Sequence, residues 1–311
     1  MPTNTDSLIR MNGLLLIDKP GGMTSHDVVA AIRRLVRPLR VGHTGTLDPL
    51  ADGLLILCVG EATKIASFVE AQYKLYRAVA LLGTQTDTQD ITGTKIAEKS
   101  VEGVTEHRIR ETANRFLGRI EQTPPAFSAI KVNGVRAYKL ARRKQKVTLK
   151  PRKIEITRFE VENIRLPRIE LLIECSKGTY VRTLCSDLGT ALGVGGCMES
   201  LRRLGIGRFR VGDAKPLAEL SSPEHIREVL TPASAGLSHL PAITCSPEQT
   251  IKLSNGMALA VSEQLEVAGD KSTWAQALGT DGELIAVGKL ARDNDTILFH
   301  PKRVLKRSED R

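Results

Sequence analysis

Apolar residues in this chain fall into short unbroken runs and helical stripes, separated by glycine- and proline-marked turns. The run Gly13-Leu-Leu-Leu-Ile17 ahead of a Pro-Gly-Gly turn predicts a buried strand, and Leu54 to Val59 predicts another. Between them Val28, Val29, Ile32 and Leu35 recur at helical spacing behind Ser25, a predicted N-cap, and Pro38 ends the segment. Residues 63–71 read as helix, 73–82 as strand and 108–116 as a short helix. Residues 155–159 and 169–175 alternate as strands do, and 179–192 reads as a helix opening at a Lys-Gly-Thr turn. Strands and helices follow one another without a regular βαβ rhythm, so the expected class is α+β with a largely antiparallel sheet.

Ser, Pro and Ala cluster between Ser221 and Pro247. Beyond them short strands punctuated by Gly256, Gly269, Gly279, Gly282 and Gly288 predict a small β-barrel. The expected organisation is a flexible N-terminus at 1–10, a main domain at 11–240 and the barrel at 247–311. Internal repeats and low-complexity tracts are not seen.

Charge narrows the class of partner. The 311 residues include 45 Lys and Arg against 35 Asp and Glu, a net charge of +10, which favours a polyanion but leaves RNA, DNA and an anionic membrane open. Residues 130–153 hold ten Lys or Arg and no acid. Such a run is either a solvated basic loop or an arm whose mutual repulsion phosphates relieve, and the arm is the expectation, inserted at about 124–153 behind Pro124-Pro125. In contrast, 247–305 carries eight acids against six bases, which is unusual for a module that grips RNA. Five cysteines without a CxxC pair argue against a zinc knuckle and a disulfide framework, and Cys58 reads as a core residue. Neither a signal peptide nor an apolar run of membrane-spanning length is visible, so a soluble cytoplasmic protein without a membrane partner is expected.

The most informative stretch is Gly42-His43-Thr-Gly-Thr-Leu-Asp48-Pro-Leu-Ala-Asp-Gly53. Its glycines permit backbone shapes closed to other residues, and Pro49 restricts Asp48 to an extended conformation at the rim of a buried strand. Asp48 is thereby placed either as an active-site acid or as a turn aspartate satisfying its own loop amides. A second group is Lys177-Gly-Thr-Tyr180-Val-Arg182. Tyr180 and Arg182 read as surface residues opening a helix or, together with Asp48, as a stacking ring and an arginine that holds the carboxylate ionised. Tyr76 is either a core aromatic or a further stacking ring, and His43 either bonds its loop or meets a nucleotide. P-loop, Rossmann, GxSxG and HExxH patterns are absent and the six histidines are scattered, so neither a metal nor an organic cofactor is expected.

At these residues the sequence resembles the TruB family of pseudouridine synthases, which modify uridine 55 in the T loop of tRNA. Gly13-Leu-Leu-Leu-Ile-Asp18-Lys19-Pro20-Gly-Gly-Met-Thr-Ser25 is similar to that family's first motif, and His43 to Lys64 to its catalytic motif. Pro124-Pro-Ala-Phe-Ser128-Ala-Ile-Lys131-Val-Asn-Gly-Val-Arg-Ala-Tyr138 is similar to the third block, and Lys177 to Gly189 to the fourth. The resemblance implies a pseudouridine synthase fold, with a mixed, mainly antiparallel sheet, a central RNA-binding cleft and a C-terminal PUA-like barrel. It implies Asp48 as the catalytic aspartate, with Tyr180 and Arg182 as its companions. Tyr76 is implied as the base-stacking aromatic, His43 as the residue beneath the flipped nucleotide and Leu201 as an apolar wall of the pocket. Lys19, Pro20, Lys64, Lys131, Arg142 and Arg143 are expected to contact substrate. The implied partner is the T-stem loop of tRNA, handled by a monomer that needs neither a protein partner nor a cofactor. Uridine in a stack hides the reacting atoms, so the base is expected to be flipped out. A non-catalytic RNA-binding protein would need the basic arm, but not the trio of Asp48, Tyr180 and Arg182.

Overall fold

Strand β1 (Gly13–Lys19) and the helix after it, α1 (Ser25–Leu35), form where the apolar pattern places them. The cap differs. Thr24, not Ser25, is the N-cap, in a capping box with Asp27, and the Ser25 hydroxyl is left for another task described below. The structure is a computed structural model that describes residues 11–132, 134–143, 145, 148–261, 272–293 and 296–305. The expected flexible stretch 1–10 and Lys144 of the basic run lie outside the described residues.

After α1 come β2 (Val41–His43), β3 (Asp52–Val59), a 3-10 turn at Gly60–Ile65, α2 (Ala66–Glu70) and β4 (Lys74–Leu82). A hairpin of β5 (Thr84–Thr86) and β6 (Lys95–Glu98) leads to α3 (Glu106–Asn114), capped by Thr105, and β7 (Gly118–Gln122). Within the basic stretch β8 (Lys131–Val132) and β9 (Val135–Arg136) pair, and α4 (Ala137–Arg142) follows. Next are β10 (Arg152–Arg165), β11 (Arg168–Cys175), α5 (Val181–Ala191) and β12 (Gly196–Ile206), then β13 (Phe209–Arg210), β14 (Lys215–Pro216) and α6 (Pro223–Glu228). The last residues supply β15 (Ala242–Thr244), α7 (Pro247–Ser254), β16 (Leu259–Val261), β17 (Thr273–Leu278), β18 (Leu284–Asp293) and β19 (Thr296–Val304).

The main sheet runs β14-β1-β3-β12-β4-β11-β10-β7, with β2 added to β3 and β13 to β12. It is mixed and mainly antiparallel: β12 lies parallel to β3, and β14 parallel to β1. Strand β3 shows why its sequence is uninterrupted Leu-Leu-Ile-Leu-Cys-Val. Leu54, Ile56 and Cys58 enter one core with Leu14 and Leu16, while Leu55, Leu57 and Val59 enter another with Val28 and Ile32 of α1. A third core under β4 and β11 is closed by Leu184 and Leu188 of α5 and Ile109 of α3.

Strand β3 changes partner along its length. Asp52 and Gly53 pair with Arg202 and Arg203 of β12, whereas Leu57 to Val59 pair with β2. The loop joining β2 to β3, which carries Asp48, lies at this change. Gly53 permits the close approach: its φ is +97°, and a Cβ there would lie 2.4 Å from the Arg203 carbonyl oxygen. Gly53→Ala is therefore expected to lower stability by at least ~2 kcal/mol, read as a drop in the denaturation midpoint.

The C-terminal strands form a curled half-barrel in the order β15-β17-β18-β19-β16, backed by α7. It packs on the main domain, where Leu284, Val287 and Leu305 share a core with Leu14, Leu16 and Ile56. Phe68 of α2 meets Trp274 of β17 edge-on at 4.9 Å. Among the described residues no helix is long and apolar enough to cross a membrane.

Candidate active site

Backbone and side-chain bonds hold the 44–51 loop at several points. The Leu47 amide donates to Ser25 Oγ at 2.9 Å, and Ser25 Oγ donates to the Leu47 carbonyl at 3.2 Å, so the N-terminus of α1 grips the residue before Asp48. Arg203, 1% exposed, donates to the carbonyls of Leu54 at 2.6 Å and Gly45 at 3.3 Å. The Gly22 amide donates to the Pro49 carbonyl at 2.8 Å, joining the Pro-Gly-Gly turn to the loop. Among the described residues no amide of this loop donates to the Asp48 carboxylate, so the turn-aspartate reading fails. The side chain faces outward instead, 36% exposed, with Oδ2 3.4 Å from Arg182 Nε.

Arg182 is itself buried, and its guanidinium is spread over four groups. It donates to the Phe127 carbonyl at 2.7 Å and the Thr88 carbonyl at 3.5 Å, and it lies 3.7 Å from Asp90 and 3.4 Å from Asp48. Nε has no hydrogen-bond partner, so the contact with Asp48 is an ion pair rather than a fork. Asp90 is fixed by Thr88 Oγ1 at 2.9 Å, the Thr92 amide at 3.0 Å and Thr92 Oγ1 at 2.5 Å. Two carboxylates thus flank one guanidinium. Burial pushes the Asp48 carboxyl above its ordinary range; Arg182 and Lys19 oppose the rise and Asp90 adds to it.

Tyr180 opens α5 with its backbone clamped by Gln122, whose amide donates to the Tyr180 carbonyl at 3.0 Å and accepts from its N–H at 2.8 Å. Its ring lies 5.8 Å from the Arg182 guanidinium, and burial raises its phenol above the usual range. Tyr76 and Leu201 are both buried, in one apolar cluster with Leu47 and Ala51, and the cross-strand partner of Tyr76 is Arg203. His43 Nδ1 accepts from the Gly45 amide at 3.3 Å, and its ring meets His26 of α1 edge-on at 5.4 Å. Burial, then His26 and Arg203, lower its pKa, so His43 is neutral near pH 7 with its proton on Nε2.

The remaining sequence candidates lie further out. Lys19 is fully buried, donating to the Pro20 and Met23 carbonyls at 2.8 Å each, so it shapes the loop that contains exposed Pro20. Lys64 is not brought to Asp48. It pairs with Glu61 at 2.5 Å and donates to the Val304 carbonyl at 2.6 Å, tethering the half-barrel. Lys131, Arg142 and Arg143 are exposed on the basic stretch, Arg142 lying over the Tyr138 ring at 5.6 Å.

Four residues of this site have no counterpart in the sequence reading: Ser25 as a loop clamp, Asp90, Gln122 and Arg203. Asp90 had the clearest signal, a Thr-Asp-Thr-Gln-Asp90-Ile-Thr-Gly run rich in side chains that bond their own backbone. The whole is a half-open carboxylate beside a buried cation, with Tyr180 next to that cation and Leu47, which precedes Asp48, in the apolar cluster of Tyr76 and Leu201.

Comparisons with known proteins show the family. A family model described as TruB family pseudouridylate synthase, N-terminal domain, matches residues 33–181, and one described as tRNA pseudouridylate synthase B C-terminal domain matches 182–238. The chain is similar to a protein named tRNA pseudouridine synthase B from Geotalea uraniireducens (strain Rf4), 40% identical over 92% of this chain and 94% of that protein. A protein of the same name from Clostridium kluyveri is 42% identical over 80% of this chain and 86% of that one. Among solved structures, one titled "Crystal Structure of a Cbf5-Nop10-Gar1 Complex" superposes with a TM-score of 0.77 at 25% identity, covering 98% of this chain and 88% of that one.

Proposed function

The chain belongs to the TruB family of pseudouridine synthases, and we propose that it isomerises uridine 55 in the T loop of tRNA with Asp48 as the reacting carboxylate. One observation supports that assignment above the rest: the half-exposed Asp48 carboxylate forms an ion pair with a buried arginine, 3.4 Å away. A carboxylate so held is aimed, and Arg182 favours its ionised form against burial, with one side open to substrate.

The reaction breaks N1–C1′, turns the detached uracil and joins C5 to C1′; the proton leaving C5 is balanced by the one gained at N1. Atoms and electrons balance without a donor or redox partner. Asp48 acts on the flipped nucleotide as a nucleophile or by taking the C2′ proton, and either role needs it ionised. Tyr76 and Leu201 wall the pocket, and Tyr180, kept protonated by burial, stacks on the base or carries a proton near it. His43 lies at the mouth as a neutral ring. Arg182 is a positioning residue, acting through Asp48. The protein works as a cytoplasmic monomer without a protein partner. Identity to the protein named tRNA pseudouridine synthase B, 40%, exceeds the 25% to the Cbf5-Nop10-Gar1 structure, which favours tRNA as the substrate. Incubating the protein with T-stem-loop transcripts and mapping pseudouridine chemically tests the whole reading; absence of product would overturn it.

The basic stretch is the grip. Lys131, Arg136, Lys139, Arg142 and Arg143 are exposed, with no ion pair to any described acid. Replacing Arg142 and Arg143 with alanine is expected to weaken tRNA binding and to lower the slope of log K against log salt by about one unit per lost phosphate contact. Parallel lines of equal affinity would reduce the stretch to a solvated loop.

A further inference from the structure

Helix α1 turns its buried side, Ser25, Val28 and Ile32, toward β1 and β3. At 100° per residue His26, Ala30 and Arg33 fall in one line along an outward flank, and Arg37 follows just past the C-cap Val36. Arg34 flanks the line and Arg40 follows at the entry to β2. All four arginines are exposed, and none pairs with an acid among the described residues. Arg33 and Arg34 in the last turn favour the helix dipole, but Arg37 and Arg40 lie beyond the helix, where that explanation ends. Four unpaired charges within eight residues repel one another unless an anion joins them.

The line has a direction. At one end His26 touches His43, the last residue of β2 before the loop that carries Asp48, and Arg33 is about 10 Å further along the helix. Arg40 reaches the same histidine by the other route, three residues along β2. We propose that Arg33, Arg37 and Arg40 form a second phosphate track, which holds the backbone of the substrate RNA leading away from the flipped uridine. The proposal rests on the RNA-modifying reading above. It differs from the basic arm in how it reaches the site: the arm joins through the Phe127 carbonyl and Arg182, the track through His43 and the Ser25–Leu47 clamp. An RNA so held is gripped on two sides of the Asp48 loop.

The test compares the wild type with Arg33→Gln/Arg37→Gln/Arg40→Gln, and uses Arg158→Gln, an exposed arginine paired with Glu160, as control. Glutamine keeps a polar side chain and comparable helix propensity while removing charge. For a T-stem-loop RNA the triple variant is expected to lose two to three units of salt slope, about 0.7–0.9 per phosphate, and to bind about tenfold more weakly or worse at physiological salt. KM for RNA rises by the same factor while kcat holds, and the control tracks the wild type. A triple variant with the wild-type slope and affinity overturns the proposal. Should it unfold, Arg37→Gln and Arg40→Gln, both beyond the helix, are measured singly, and unchanged slopes in both overturn it equally. If the wild type binds RNA with a steep salt slope yet forms no pseudouridine, the reaction assigned above fails, while the slopes still judge the track.

Discussion

Asp48→Asn is expected to reduce pseudouridine formation by at least ~10⁴-fold while tRNA affinity stays near that of the wild type. The amide keeps the shape of the carboxylate but can neither attack the nucleotide nor take its proton. Burial lifts the Asp48 carboxyl above the ordinary range, and activity needs the ionised form, so wild-type kcat/KM should climb with pH through that raised pKa and then level off. The same shift fixes the sign for stability. The native state keeps the Asp48 proton to higher pH than the unfolded chain does, so stability falls as pH rises from the ordinary carboxyl range through the raised value. Removing the charge ends that penalty, and at neutral pH the melting temperature of the variant should equal or exceed that of the wild type. Single-turnover assays with prefolded T-stem loop and thermal melts check both halves. Residual activity within tenfold of wild type would remove Asp48 from the reaction.

Arg182→Lys is expected to lower kcat by roughly 10²-fold, the loss typical of a reacting group misplaced by about an ångström. Lysine keeps a charge but cannot meet the Phe127 and Thr88 carbonyls and both carboxylates at once, as the planar guanidinium does. Arg182 holds the Asp48 pKa down against burial, so weakening the pair should move the acid limb of kcat/KM to higher pH. A merely structural arginine would lower stability without moving that limb. Wild-type kcat together with an unmoved limb would show that Arg182 does not govern Asp48.

The Asp48 loop was legible because backbone demands are written locally. Glycines framing Asp48, the following Pro49 and the apolar β3 each restrict conformation within a few residues. Strand β12 was not legible, although it lies in the middle of the main sheet between β3 and β4. Gly196 to Ile206 lacks clean alternation because register shifts at Met198/Ser200 and Arg203/Gly205 break the two-residue period, and because Arg202 and Arg203 sit mid-strand. Arg202 is drawn there by Asp18 and Asp52, at 2.7 Å each, and Arg203 by the carbonyls of Gly45 in the Asp48 loop and Leu54 of β3. Partners about 150 residues or more away leave no local trace. Ser25 was misplaced for a related reason: Thr24 and Ser25 are both good caps, and only the position of Leu47 decides which is free. The bond of Lys64 to Val304, across the molecule, likewise left no local trace.

Gln122 ends β7, and from there the chain runs into the basic stretch, returning at Arg152 opposite the same residue. That single residue clamps the backbone of Tyr180, and Phe127, five positions on, supplies the shortest bond to Arg182. The root of the basic stretch is thus built into the Asp48–Arg182–Tyr180 group, whereas its tip, at β8, β9 and α4, touches solvent. Changes of length should consequently divide sharply by position. Insertions or deletions near Gly134, where nothing lies within 4 Å of an added Cβ, would register as altered affinity for RNA. Losing one residue between Gln122 and Ser128 would withdraw a carbonyl from the guanidinium, and a protein that still held its RNA would turn it over slowly.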